Sequence, residues 1–299
     1  MTDAEFDYLR GFLKARSGLS LTAEKRYLIE SRLGPVCRRF GHADLRALVA
    51  ALRLGRDAAA EKAVIEAMTT NETFFFRDRT PFDLFRDTLL PRAMVARAGQ
   101  RQLRIWCAAA STGQEPYSLA MILNEAEARL AGWRIEIVAT DLSDEVLGRA
   151  REGLYSHFEV QRGLPAPMLV RHFEQVGEQW RIKPNLRRMV DFRPLNLLNP
   201  FGTLGQFDIV YCRNVLIYFD APTKTDVLRR IAGLLAPAGT VVLGAAETVI
   251  GLTDALRPDP AYKGLYIRSG AEPGRQAASP PALQPAPAAP PLLRVASAR

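Results

Sequence analysis

Apolar residues open the chain at helical spacing. Phe6, Leu9 and Leu13 recur three and four apart, followed by Leu28, Ile29, Leu33 and Val36, then Leu45, Leu48, Val49 and Leu52, then Val64, Ile65 and Met68. That period lines one face of each segment with hydrocarbon, so residues 1–72 predict a small all-helical domain. Thr22, followed by Glu24, reads as a helix start, and Gly41 and Gly55 as helix stops. Pro35 after Gly34 predicts a kink or break in the second helix. Residues 73–102 predict a linker with a further helix near Pro81 to Arg97.

From Leu103 the pattern changes to short apolar runs alternating with helical periods. The runs Leu103–Ala109, Arg134–Thr140, Val190–Pro194, Phe207–Cys212, Thr240–Ala246 and Gly264–Arg268 predict strands. Glu115–Leu130, Asp144–Glu152 and Thr223–Leu235 predict helices between them. Strand–helix alternation predicts an α/β, Rossmann-like, doubly wound and mostly parallel sheet over residues 103–270. The alternation lapses at about 153–188. There, Phe173–Val176 and Gln179–Lys183 flank Gly177-Glu178, which predicts a hairpin in a small β insertion. Residues 271–299 are rich in proline and alanine and keep no apolar period, so a disordered tail is expected.

Composition narrows the class without changing this picture. The 299 residues are 48% hydrophobic and 24% charged, with a formal net charge of +8. No apolar run reaches the roughly 20 residues of a membrane span. The N-terminus resembles neither a signal nor a transit peptide, so a cytoplasmic location is expected. Cys37, Cys107 and Cys212 form no paired motif, and His42, His157 and His172 have no ligand spacing, so no metal is expected. The positive charge admits an anionic partner or only a solvated arginine-rich surface. Lys25, Arg32 and Arg39, seven apart, would share one helix stripe, which reads either as a docking face or as a solvated one.

Three clusters carry candidate chemistry. The strand from Leu103 runs into Ala109-Ala110-Ser111-Thr112-Gly113 and then a helix starting near Glu115. Small residues there let backbone approach a ligand. The next strand ends at Asp141, where an acid suits ribose hydroxyls. A single glycine is not a dinucleotide fingerprint, so an adenosine-bearing cofactor without phosphates fits best, and S-adenosylmethionine is the common one. The second cluster, Asn71-Glu72-Thr73-Phe74-Phe75-Phe76-Arg77-Asp78, offers donors and acceptors to a zwitterion, and Arg77 suits a carboxylate. The third is Cys212-Arg213-Asn214 with Tyr218, at the end of a predicted strand, where ligands bind in such sheets.

In this order, the segments T-N-E-T-F-F-F-R-D, I-W-C-A-A-A-S-T-G-Q-E-P-Y-S-L-A, A-T-D-L-S and F-D-I-V-Y-C-R-N-V-L-I-Y-F resemble the CheR family of chemotaxis receptor methyltransferases. The likeness runs from the helical unit to about Arg268. It implies methyl transfer from S-adenosylmethionine to glutamate side chains of chemoreceptors, leaving S-adenosylhomocysteine. It also implies that Asn71, Thr73, Arg77, Glu115, Asp141, Asn196, Leu197, Arg213 and Asn214 contact the cofactor. Asp141 would hold the ribose, Arg77 the methionine carboxylate, and Asn196 and Leu197 would lie beside the adenine.

Arg77 and Tyr218 are the candidates for orienting groups near the methyl, without acid–base roles. A glutamate carboxylate, with a pKa near 4.3, needs no general base. The partner implied is the cytoplasmic part of membrane-bound receptors, without nucleic acid or membrane insertion, approached by the helical unit and the Lys25, Arg32 and Arg39 face. Some members bind a receptor's C-terminal pentapeptide through a glycine-containing loop of the β insertion. Here that loop is shortened to Val176-Gly177-Glu178-Gln179, so no such tether is expected. The alternatives are a methyltransferase of the same fold acting on RNA or another signalling protein, or a cofactor-binding adaptor without turnover.

Overall fold

The computed structural model describes residues 1–270, and the segment expected to be a disordered tail lies outside the described residues. Four helices form the N-terminal unit: α1 (Asp3–Ser17), α2 (Arg26–Arg39), α3 (Leu45–Leu54) and α4 (Ala58–Met68). Thr2 and Glu5 close a reciprocal capping box on α1, while Asp44 and Asp57 cap α3 and α4. The apolar stripes meet in a core containing Leu9, Leu13, Ile29, Leu33, Leu48 and Val64.

Two local expectations are corrected here. The second helix is continuous through Pro35. Proline removes one backbone donor, but Ile29 and Leu33 before it and Val36 and Cys37 after it are buried in the same core. Packing on both sides outweighs the lost bond. Thr22 does precede a short 3-10 turn, Ala23–Lys25, yet its side chain makes no capping bond.

The connecting segment is helical as α5 (Thr80–Leu84), a π-helical turn (Phe85–Leu89) and α6 (Leu90–Ala96). Phe82, Phe85, Leu89 and Leu90 from it are buried against the sheet.

The larger unit then alternates β1 (Gln102–Ala108), α7 (Gln114–Glu125), β2 (Arg134–Asp141) and α8 (Asp144–Glu152). The insertion follows as β3 (Leu154–Ser156), α9 (His157–Gln161), α10 (Ala166–His172), β4 (Phe173–Val176), β5 (Gln179–Ile182) and α11 (Pro184–Arg187). The chain returns through β6 (Val190–Pro194), β7 (Phe207–Cys212), α12 (Ala221–Leu234), β8 (Leu235–Leu243), β9 (Leu256–Pro258) and β10 (Leu265–Arg268). The predicted helix to Leu130 ends at Glu125, and a 3-10 turn covers Glu127–Leu130.

The main sheet has seven strands in the order β6-β2-β1-β7-β8-β10-β9. The first five are parallel, and β10 and β9 close the edge antiparallel. Successive residues alternate between two cores. Ile105 and Cys107 face the layer with α7, while Trp106 and Ala108 face Val227, Leu228 and Ile231 of α12. Strands β3, β5 and β4 form a separate antiparallel sheet with its turn at Gly177-Glu178.

The chain order reverses between β1 and β7, so the two neighbouring strands lead into connections on opposite sides. That is where an open α/β sheet forms a ligand crevice. Ala108 pairs with Thr140 on one side and Cys212 on the other, which brings Asp141, Arg213 and the Ala109–Gly113 turn to one carboxyl edge. Among the described residues, no helix is long and apolar enough to cross a membrane.

The helical unit docks over that edge. Lys14 Nζ meets Asp220 at 2.6 Å, the Ser20 amide donates to the Tyr218 carbonyl at 2.8 Å, and Asn196 Nδ2 donates to the Arg16 carbonyl at 2.6 Å. The Asp144 amide donates to Glu66 Oε1, and Lys62 pairs with the Asp144 carboxylate. The Lys14 ammonium, helped by Thr223, holds the Asp220 carboxyl down at about 2. A depressed carboxylate pKa stabilises the fold above its ordinary value near 3.8 and loses that contribution as the pH falls through 2. An NMR titration should therefore find the Asp220 midpoint near 2. Lys14→Ala should move it upward, and an unmoved midpoint would place the Lys14 contact outside the solution structure.

Candidate functional site

A cleft at the carboxyl edge encloses about 1040 Å³ of empty space, open solvent at its mouth included. That is at the upper end of the ~300–1,000 Å³ typical of small-molecule sites. Asn71, Thr73, Arg77, Glu115, Asp141, Asn196, Leu197, Arg213, Asn214 and Tyr218 all line it. They come from the end of α4, the start of α7, the ends of β2, β6 and β7, and the loop before α12. Lys25, Arg32 and Arg39 do not line it.

Arg213 is the junction of the site. Its side chain is 1% exposed, and it reaches all three motif clusters. Nη1 donates to Glu115 Oε2 at 2.9 Å, and Nη2 donates to Asp78 Oδ2 at 2.7 Å and to the Arg77 carbonyl at 3.1 Å. The guanidinium also lies 5.7 Å from the Phe82 ring centroid. Burial pushes the Glu115 carboxyl up, and the Arg213 charge opposes that shift. Arg213 Nε is buried without a hydrogen-bond partner. A buried unsatisfied donor carries a desolvation cost, which the ion pairs of the same guanidinium offset.

Asp141 is 7% exposed at the end of β2. Oδ2 accepts the Ser111 amide at 2.8 Å and Oδ1 the Ser143 amide at 3.0 Å. Spare lone-pair capacity remains on the carboxylate for a ligand hydroxyl. Burial raises its pKa, while the backbone donors of Ser143, Ser111 and Leu142 pull it down. Ser111 also ties the segments together, its hydroxyl donating to the Asn71 carbonyl at 2.9 Å. Gly113, with φ +93°, starts α7 where an added Cβ would lie 3.1 Å from Ala150 Cβ and Tyr117.

The other residues are held less tightly or for other purposes. Arg77 donates to the Glu72 carbonyl at 2.7 Å and lies over the Phe74 ring, leaving donors for a carboxylate. Phe75 is the buried member of the aromatic run, packed edge-on against Tyr155 and Phe173. The Asn196 carboxamide bridges the Arg16 carbonyl and the Leu198 amide. Tyr218 is half-buried, its carbonyl held by Ser20.

Arg32 has a structural task. Its guanidinium donates at 3.0 Å to the Met68 and Thr69 carbonyls, satisfying the end of α4 where the chain enters the cleft. Lys25 belongs to the 3-10 turn and Arg39 stacks on Phe40, so the three do not form one free stripe on a continuous helix.

Two residues of this network, Asp78 and Ser111, lay inside the recognised clusters but carried no signal of their own roles. Backbone strain gives a further mark. Among the described residues, all positive-φ non-glycine positions except Arg101 fall in the three cleft segments: Phe76, Asp78, Arg79, Ala109, Ser111 and Asn214. Strain of this kind collects at ligand sites.

The fold and cleft define a nucleoside-cofactor enzyme of the methyltransferase type. Residues 71–263 match the family described as CheR methyltransferase, SAM binding domain, and residues 4–69 match CheR methyltransferase, all-alpha domain. The chain is 43% identical over 271 residues to chemotaxis protein methyltransferase 1 of Pseudomonas aeruginosa, covering 89% of this chain and 98% of that protein. It is 42% identical to chemotaxis protein methyltransferase Cher2 of Pseudomonas putida, covering 84% and 92%. With the chemotaxis protein methyltransferase of Vibrio parahaemolyticus the identity is 41%, covering 85% and 92%. The chain belongs to the CheR methyltransferase family, and its larger unit is that family's S-adenosylmethionine-binding domain.

The residues present fit that cofactor: a buried carboxylate with spare lone-pair capacity and a guanidinium with donors to spare share one cleft with small-residue walls. If Asp141 holds the ribose hydroxyls, Asp141→Ala removes charge-assisted bonds worth about 1.5–3 kcal/mol. Its affinity for S-adenosylhomocysteine should fall about 10- to 150-fold by calorimetry. Unchanged affinity would mean that Asp141 does not hold the ribose.

Proposed function

We propose that this chain methylates glutamate side-chain carboxylates on the cytoplasmic part of chemoreceptors. The observation that carries the reading is the convergence of three segments on Arg213, at the ligand edge of a CheR-family sheet. S-Adenosylmethionine supplies a sulfonium-activated methyl group. Asp141 binds the ribose hydroxyls, Arg77 takes the methionine carboxylate, and Asn196 and Leu197 flank the adenine. Glu115, Arg213 and Asn214 complete the cofactor wall with Asn71 and Thr73. A glutamate carboxylate is ionised at neutral pH and attacks without a base, so the protein's task is alignment and exclusion of water. Arg77 and Tyr218 orient the reacting groups.

Residues 1–72 form the receptor-facing domain, with Lys25 and Arg39 available to an acidic partner. The tight turn at Gly177-Glu178 favours recognition without a receptor pentapeptide tether.

The test is labelled S-adenosylmethionine incubated with receptor-bearing membranes of the same organism. Protein-bound label should leave as methanol in mild alkali. Receptor fragments lacking the C-terminal pentapeptide should be labelled as well as complete ones. Alkali-stable label would contradict the ester, cofactor binding without labelling would mark an adaptor, and labelling only of complete fragments would restore the tether.

A further inference from the structure

Glu247 is 8% exposed and lies outside the cleft lining, in the loop after β8. Its carboxylate accepts five backbone N–H groups. Oε1 takes Val215 at 3.0 Å, Leu216 at 2.7 Å and Ile217 at 3.3 Å. Oε2 takes Asn214 and Gly244, each at 2.8 Å. Four consecutive amides, residues 214–217, thus curl round one anion supplied by the protein itself. Successive amides in this arrangement form an anion-binding concavity, and here its occupant is a side chain.

The loop so held is the one that meets the cleft. Asn214, at φ +59°, and Val215 and Tyr218 line it, and the Tyr218 carbonyl receives the helical unit through Ser20. Asn214 occupies a left-handed conformation that costs free energy in most residues and persists only where its surroundings fix it. The carboxylate supplies that constraint. Gly244 belongs to the same device. A Cβ there would lie 2.7 Å from Glu247 Oε2 and 3.0 Å from the Asn214 nitrogen, so only glycine lets the two loops approach.

We infer that Glu247 is a positioning residue: it sets the Asn214–Tyr218 loop in the conformation that receives the cofactor, and Gly244 makes room for it. This rests on the reading that Asn214 meets the cofactor.

Glu247→Gln keeps the shape but turns an N–H₂ toward amide donors on one side. The variant should remain folded by its melting transition, yet its Kd for S-adenosylhomocysteine should rise about 10- to 100-fold. KM for S-adenosylmethionine should rise with it. Adding Asn214→Ala should weaken binding little further, because both changes act through one contact. Gly244→Ala is the second variant and should behave alike.

In the unaltered protein without cofactor, the amides of residues 214–217 should exchange slowly with solvent deuterium. A lowered melting temperature with unchanged affinity in Glu247→Gln would reduce Glu247 to a fold-stabilising residue. Freely exchanging loop amides in the unaltered protein would overturn the proposal even if both variants failed to fold. Asn214→Ala alone with full affinity would instead remove Asn214 from the cofactor site, a separate failure from that of the amide cage.

Discussion

One buried guanidinium organises the site. Arg213 joins Glu115 from the first turn of α7, Asp78 and the Arg77 carbonyl from the aromatic segment, and the end of β7 that carries it. These segments are far apart in the chain, and further bonds, Ser111 to the Asn71 carbonyl and the Phe76 amide to Ser118, reinforce the junction. A buried cation needs compensating charge, and removing one partner of such a group typically costs about 3–5 kcal/mol. The requirement works in both directions for Glu115, which is buried beside Arg213, whereas Asp78 keeps contact with solvent. Arginine suits the position because its planar fork presents several donors in fixed directions.

Around that centre, the molecule uses backbone to build the cleft and spare polar capacity to line it. Asp141 anchors the Ser111 and Ser143 amides while retaining lone pairs. Ser111 holds the Asn71 carbonyl, and Arg32 holds the carbonyls that end α4. The helical unit is therefore part of the cleft wall as well as a receptor-facing domain in the proposed function. The strained residues Ala109, Ser111 and Asn214 lie where these ties converge. Their conformations are maintained by surrounding hydrogen bonds, as expected of a preorganised site.

The sheet was legible because its alternation is local. Strands β6 and β7 begin and end where the apolar runs do, and the hairpin turn falls on Gly177-Glu178. Strand β8 begins at Leu235, ahead of the expected Thr240; Pro237 and Gly239 interrupt its apolar run, beside a register irregularity against β7, and hide its first residues from the pattern. What the sequence left hidden depends on partners distant in the chain. Pro35 looks like a breaker until the core on both sides of it is seen, and Arg32 looks like a surface charge until the end of α4 comes to rest beside it. The cleft residues were readable because strand ends specify which positions reach the ligand edge, together with the family resemblance. The carboxylate of Glu247 carries no such positional signal.

The three segments gathered by Arg213 are proposed to form one S-adenosylmethionine pocket. A crystal structure with S-adenosylhomocysteine bound tests it most directly. The ligand should lie in this cleft, with its ribose hydroxyls on Asp141 and its carboxylate on Arg77. A ligand seated elsewhere, or in the cleft without touching either residue, would contradict it.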